Sequence, residues 1–312
     1  MSPVASPHVA SARGDVEIVL HPIPSADARP YIIVWGPDRA LWFCENGAGK
    51  IGRLDPGSGR FSEFAIPTPD ARPVGIIGGP DGALWFCENA GNKIGRITTA
   101  GAITEFAVNT PGAGPDGIVL GPDGNLWFSE AVLSQVGRIT PGGEVTEFSK
   151  GLTPGCRPLS PVVRDGDIWF SEYQASQIGR ISMDGQVTEY QIPTPNAEPR
   201  AMAVHPDGHI WFVETKANAL GRVDKTGRVT EWPVVTPDAS LRGVCVAADG
   251  DLWFTENFAN RIGRMKPDGT VIGEYEIPGR NCGARAIVAI PDGRLFFSAH
   301  DASAIGEVIP RR

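Results

Sequence analysis

The stretch from Pro80 to Ile97, Pro-Asp-Gly-Ala-Leu-Trp-Phe-Cys-Glu-Asn-Ala-Gly-Asn-Lys-Ile-Gly-Arg-Ile, decides the fold, because copies of it recur along the whole chain. Its Trp-Phe pair reappears at Trp42, Trp127, Trp169, Trp211 and Trp253, with Phe296-Phe297 as a seventh, at intervals of 42 or 43 residues. A hydrophobic segment repeated at so even a period belongs to a closed or stacked architecture, in which each unit buries its faces against its neighbours.

Within one copy, Val74-Gly75-Ile76-Ile77 and Leu84-Trp85-Phe86-Cys87 are short runs of β-formers separated by Pro-Asp-Gly, a tight-turn signal. Lys93 to Ile97 and Ile103 to Phe106 follow, joined by a turn containing Gly101. Each repeat therefore reads as a four-stranded antiparallel meander of propeller-blade size, and the expected fold is an all-β, seven-bladed β-propeller. The last copy stops at Ile305-Gly306-Glu307-Val308 without a fourth strand, and the N-terminal run Asp15 to Val19 can supply it. A closing strand of that kind covers both sheet edges and seals the ring. The expected layout is a disordered tail over residues 1–14 and one propeller domain over 15–312.

The 312 residues carry a net charge of −8 with basic residues scattered through the repeats, which argues against a nucleic-acid or anionic-membrane partner. The N-terminus has no apolar run long enough for a signal-peptide core, so a cytoplasmic location is expected. The five cysteines include no Cys-x-x-Cys pair and no His at zinc spacing, and read as reduced thiols.

In such a ring the longer connections crowd around one mouth of the central channel, the usual place for binding chemistry. Two positions per repeat are expected to face it. One lies eleven residues before the Trp and holds Tyr31, Val74, Asp116, Arg200, Arg242 and Arg285, with Leu159 in the fourth repeat after a one-residue deletion. The other is the Glu of Trp-Phe-x-Glu, at Glu45, Glu88, Glu130, Glu172, Glu214 and Glu256, with His300 assigned to it in the seventh repeat. Features shared by every repeat most simply serve architecture. The glutamates then hydrogen-bond loop amides, and the arginines of Ile-Gly-Arg make blade-to-blade ion pairs.

The exceptions point to function. His300 is the only histidine expected on this rim, and an imidazole titrating near 6.5 suits proton transfer. Arg200, Arg242 and Arg285 make one side of the mouth cationic, fit for a carboxylate, phosphate or enolate oxygen. The candidate catalytic residues are His300 and Arg285; the substrate-binding candidates are Tyr31, Asp116, Arg200, Arg242 and Tyr173; Glu256 is the candidate metal ligand.

The tandem pattern Pro-x-Gly-Ile, Pro-Asp-Gly-x-Leu-Trp-Phe-x-Glu, Asn-x-Ile-Gly-Arg-Ile and Gly-x-x-x-Glu-Phe-x-x-Pro-Thr-Pro resembles the virginiamycin B lyases, also called streptogramin B lyases, over residues 15–309. The resemblance implies a monomeric seven-bladed propeller that opens a cyclic depsipeptide at its ester by elimination, without added water, and needs Mg²⁺. It also implies a His at the Arg285 position, a Glu at the Gly283 position and a Glu at the position assigned to His300, so this sequence departs at all three. Tyr31 matches a substrate-facing Tyr of the family's first blade.

Three functions follow. The first is a lyase-type enzyme acting on a cyclic ester or depsipeptide natural product, with His300 as base and Arg285 as the fixed positive charge in place of Mg²⁺. The second is a metal-dependent lactonase or a biosynthetic isomerase or cyclase on the same scaffold. The third is a non-catalytic propeller holding an acidic ligand. All three take a small molecule as partner.

Overall fold

The computed structural model describes residues 8–9 and 16–310. The first blade consists of Pro30–Trp35, Leu41–Glu45, Lys50–Asp55 and Arg60–Ala65, paired antiparallel in that order. Five more four-stranded sheets repeat it, and a seventh contains Ala284–Ala289, Leu295–Ala299 and Ala304–Pro310. That last sheet is completed by Val16–Pro22, whose register runs from Val16 opposite Pro310 to Pro22 opposite Ala304. The first strands of neighbouring blades touch all around the ring, including the seventh against the first. The chain is thus an all-β, seven-bladed propeller closed by its N-terminal strand. Of the expected tail, only the two-residue strand His8–Val9 is described, pairing along the closing strand with His8 opposite Leu20; the rest lies outside the described residues. Among the described residues no helix is long and apolar enough to cross a membrane.

The core lies between blades. One cluster joins Trp42, Cys44 and Ile51 of the first blade to Ile76, Leu84, Phe86 and Ile97 of the second, and equivalent clusters recur around the ring. The Trp ring is held in two ways. Trp42 stacks on Phe64 of the outer strand with 5.6 Å between centroids, and its Nε1–H donates to Asp38 Oδ1 at 2.8 Å. The other oxygen of Asp38 accepts from Arg53 Nε at 2.7 Å. In the first three blades the Asp of this turn therefore ties together the Trp and the Arg that mark each repeat. This corrects the expectation of blade-to-blade ion pairs: Arg53, Arg96 and Arg138 pair with Asp38, Asp81 and Asp123 of their own blades. Arg222 stacks on Trp211 and Trp232.

The glycine of Ile-Gly-Arg is a packing requirement. A Cβ on Gly95 would lie 2.1 Å from Cζ of Phe86, so a side chain there would displace the ring that fills the blade interior. Blades are tied to one another by the Pro-Thr-Pro links: Thr68 donates from both its amide and its hydroxyl to Glu105 on the outer strand of the next blade, the hydroxyl at 2.6 Å. All five cysteines are buried and unpaired.

Candidate functional site

In each first strand two residues face one on its partner. In blade one, Pro30 pairs with Glu45 and Ile33 with Phe43, leaving Tyr31 and Ile32 opposite Cys44 alone; the same shift occurs at Asp116, Arg200, Arg242 and Arg285. Bulges of this kind re-aim a side chain out of the strand alternation. Here they turn Tyr31, Asp116, Arg200, Arg242 and Arg285 toward the channel mouth, while in blade four Leu159 still pairs with Ser171 and the bulge falls at Ser160 and Pro161. The resulting cavity is lined by Tyr31, Asp116, Arg157, Leu159, Arg200, Arg242 and Arg285, with small neighbours between them.

The charged groups press on one another. Burial, then the like charges of Arg200 and Arg285, bring the Arg242 guanidinium down to about 10. Burial pushes Asp116 up to about 6 although Arg157 and Arg200 favour its ionised form. The Arg285 guanidinium carbon sits 4.8 Å from the Tyr31 ring centroid, and that of Arg200 sits 4.3 Å from Tyr173. Tyr173 in turn donates its hydroxyl to Glu198 Oε2 at 2.6 Å.

His300 stands beside the cavity, not in its lining. Its ring meets Tyr31 edge-on, with 6.3 Å between centroids and 77° between planes. Its Nδ1 lies 2.6 Å from Asp301 Oδ1, a contact that favours the proton on Nδ1 and leaves the Nε2 lone pair to accept. Burial, opposed by the Asp301 hydrogen bond and reinforced by the Arg285 charge, holds the imidazole below its ordinary value.

Two of the expected positions need correction. Phe296 pairs with Glu307 as Trp42 pairs with Arg53, and Ala284 pairs with Ala299 as Pro30 pairs with Glu45. Ala299 therefore occupies the seventh glutamate position, and His300 follows it. The equivalent of His300 in other blades is Asn46, Asn89, Ala131, Tyr173, Thr215 or Asn257, and Asn46, Asn89 and Asn257 each donate to a carbonyl of the next blade's first strand.

The glutamates themselves do not face the mouth. Glu256 is fully buried inside its blade, with no hydrogen-bond donor at either carboxylate oxygen. Burial and then the neighbouring Glu274 raise it to about 8, against a smaller opposing effect of Arg261. A carboxyl that keeps its proton in a closed interior is not a ligand for a hard cation, so the metal role expected for Glu256 is withdrawn. The same face-to-face carboxyl pair recurs as Glu45 with Glu63, Glu88 with Glu105, Glu172 with Glu189 and Glu214 with Glu231, the member on the second strand raised to about 8 or 9. One proton held between two carboxyls supplies the donor that the second-strand member otherwise lacks, its partner on the outer strand already accepting from Thr68, Thr153 or Thr194 in three of the pairs.

The model of the virginiamycin B lyase family matches residues 4–211 and again 150–312. The chain belongs to the virginiamycin B lyase family. A streptogramin B lyase structure is 34% identical with a TM-score of 0.91, covering 97% of this chain and 100% of that one. Virginiamycin B lyase from Staphylococcus aureus is 34% identical with a TM-score of 0.89, covering 94% of this chain and 99% of its own. A catalytically inactive His-to-Ala variant of that enzyme, with quinupristin, is 33% identical, also with a TM-score of 0.89, over 94% and 99% of the two chains. No protein of curated function matches the chain.

The Mg²⁺ implied by the family does not fit the residues this member carries. Its positions in blade seven are Gly283, Arg285 and Ala299, which together offer a cation and no side-chain oxygen. Among the described residues no three His, Cys, Asp or Glu converge as a metal site. A hard divalent ion seeks several oxygen donors, and Arg285 opposes it by charge.

Arg157 and Asp301 escaped the sequence reading. Arg157 belongs to an Arg-Pro step also present at Arg29-Pro30 and Arg72-Pro73, and so looked like part of the repeat. Asp301 was signalled only by its place directly after His300.

Proposed function

We propose that this chain is a lyase-type enzyme that opens or rearranges an ester-bearing cyclic small molecule at the channel mouth. The observation that carries this reading is His300, held at Nδ1 by Asp301 and packed on Tyr31, whose face carries Arg285. In the elimination, Nε2 of His300 takes the proton α to a carbonyl and the freed electron pair becomes a carbon–carbon double bond. The C–O bond at the neighbouring carbon breaks, and the ester leaves as a carboxylate. Arg285 stabilises the enolate oxygen that forms on the way. No water is consumed, so a cyclic substrate and its opened product have equal mass. The test is incubation with a type B streptogramin and a panel of other cyclic esters, each with Mg²⁺ and with chelator, followed by chromatography and mass spectrometry. A His300→Ala protein with full turnover on the substrate so found would exclude the mechanism.

A second reading, a non-catalytic holder of an acidic ligand, is favoured by one observation: the arginines line the cavity while His300 stands behind Tyr31. Recovery of a tightly bound ligand chemically unchanged would decide for it.

A further inference from the structure

Three consecutive blades place an arginine at the same bulge, and a tyrosine closes the row at each end: Tyr173 on Arg200, and Tyr31 on Arg285. Arg242 lies between. Among the described residues none of the three arginines has an acid within ion-pair distance, and the buried Nε of each has no hydrogen-bond partner. Gathering three guanidinium groups with no ion-paired acid costs folding energy in a partly desolvated site, since the one acid in the cavity lining, Asp116, acts on Arg200 only at a distance. Their planar forks suit a carboxylate or a phosphate.

Size limits what enters. The cavity volume is about 70 Å³, room for a few waters or one oxyanion group and well short of the roughly 300–1,000 Å³ that encloses a whole ligand. A shallower hollow of about 300 Å³ adjoins it, with Arg242 on one wall and Phe258 on another. Phe258 is 72% exposed on the loop that follows Glu256, so its ring offers an apolar surface at the edge of that hollow.

We propose that Arg200, Arg242 and Arg285 bind the carboxylate or phosphate of a small molecule whose apolar body crosses Arg242 and rests on Phe258. The proposal rests on the mouth being the ligand site and holds under either functional reading. Asp116, on the opposite side of the ring, sets the direction: it repels the anion and leaves the arginine side as its seat.

The test is calorimetric titration of the full chain at constant ionic strength with inorganic phosphate, phenyl phosphate and benzoate, chloride serving as reference. Phenyl phosphate or benzoate is expected to bind more tightly than chloride, and the better of the two identifies the anion. Arg242→Gln should weaken that binding about tenfold or more, yet raise the melting temperature of the unliganded protein by relieving like-charge repulsion. Phe258→Ala should weaken phenyl phosphate and leave inorganic phosphate unchanged. His300→Ala should bind as the parent does, so a failure of the base assignment leaves this result standing. If Arg242→Gln does not fold, Arg242→Lys keeps the charge without the fork and should also bind less tightly. Anions that bind no better than chloride, or an Arg242 variant that binds like the parent, would overturn the proposal. Phenyl phosphate binding no better than inorganic phosphate would remove the role of Phe258.

Discussion

The imidazole of His300, on the last blade, packs edge-on against the phenol of Tyr31, on the first. The contact spans the seam where the ring closes, so the candidate catalytic group is positioned by the same closure that completes the fold. Removing residues 1–22 takes away the closing strand and its seven-residue pairing with Ala304–Pro310. Such a truncation should lose cooperative unfolding and activity together, as read by calorimetry and turnover, whereas a shortened protein that keeps both would show that the seam does not depend on that strand.

His300→Ala is expected to lower turnover by about 10²–10⁴-fold, the usual contribution of a positioned base, with a modest fall in melting temperature from the lost edge-on contact with Tyr31.

The pH profile carries a sharper signature. A base held below the ordinary imidazole value stays neutral to lower pH, so the acidic limb of kcat/KM should lie under about 6.5. The Arg285 charge helps to lower His300 and the Asp301 hydrogen bond raises it. Arg285→Gln should therefore move the limb upward, and Asp301→Asn should move it downward. Limbs that stay in place in both variants would separate His300 from the chemistry.

The buried carboxyl pairs predict how stability depends on pH. A glutamate such as Glu172 goes from 4.5 in the unfolded chain to about 9 in the folded one, through burial and then Glu189. Below the lower value both states hold the proton; between the two values only the folded state does, so unfolding releases it and stability falls as pH rises. With several such pairs around the ring, denaturant midpoints should decline steadily from about pH 5 to about pH 8 or 9. Glu172→Gln, neutral in both states, should make that decline shallower; an unchanged slope would mean that the pair is ionised in the fold.

Gly95→Ala would drive a methyl group into Phe86, and overpacking of this kind costs about 1–3 kcal/mol. A urea midpoint lowered by that loss divided by the slope, with the slope itself unchanged, is the expected result.

What could be read from the sequence was whatever each repeat needs in order to fold. The turn Asp, the Trp and the Arg recur because Asp38, Asp81 and Asp123 bind the other two in the first three blades, and the missing seventh outer strand pointed to Asp15 to Val19, which overlaps the observed strand Val16–Pro22. What was not legible depended on pairing across strands. With Phe296 in the place of the Trp, the third residue on is Ala299, so the expected assignment of His300 to that position was one place off, as the pairings of Phe296 with Glu307 and of Ala284 with Ala299 show. The glutamates looked like a ring around the mouth because nothing in a repeat shows that the Glu of its second strand meets another carboxyl on its fourth. The arginine partners were misjudged for a related reason, since a flexible side chain can reach its own turn as readily as the next blade.

The bulge in each first strand has a wider consequence. In five blades it assigns one side chain to the mouth and withdraws it from the interior, so the position holds Tyr31, Asp116, Arg200, Arg242 and Arg285 while the Trp, Phe and Gly beside it hardly vary. Durability and selectivity are entrusted to separate sets of residues. A family built this way can exchange one cargo for another by replacing a few inward-pointing groups, with no repair needed in the frame that carries them.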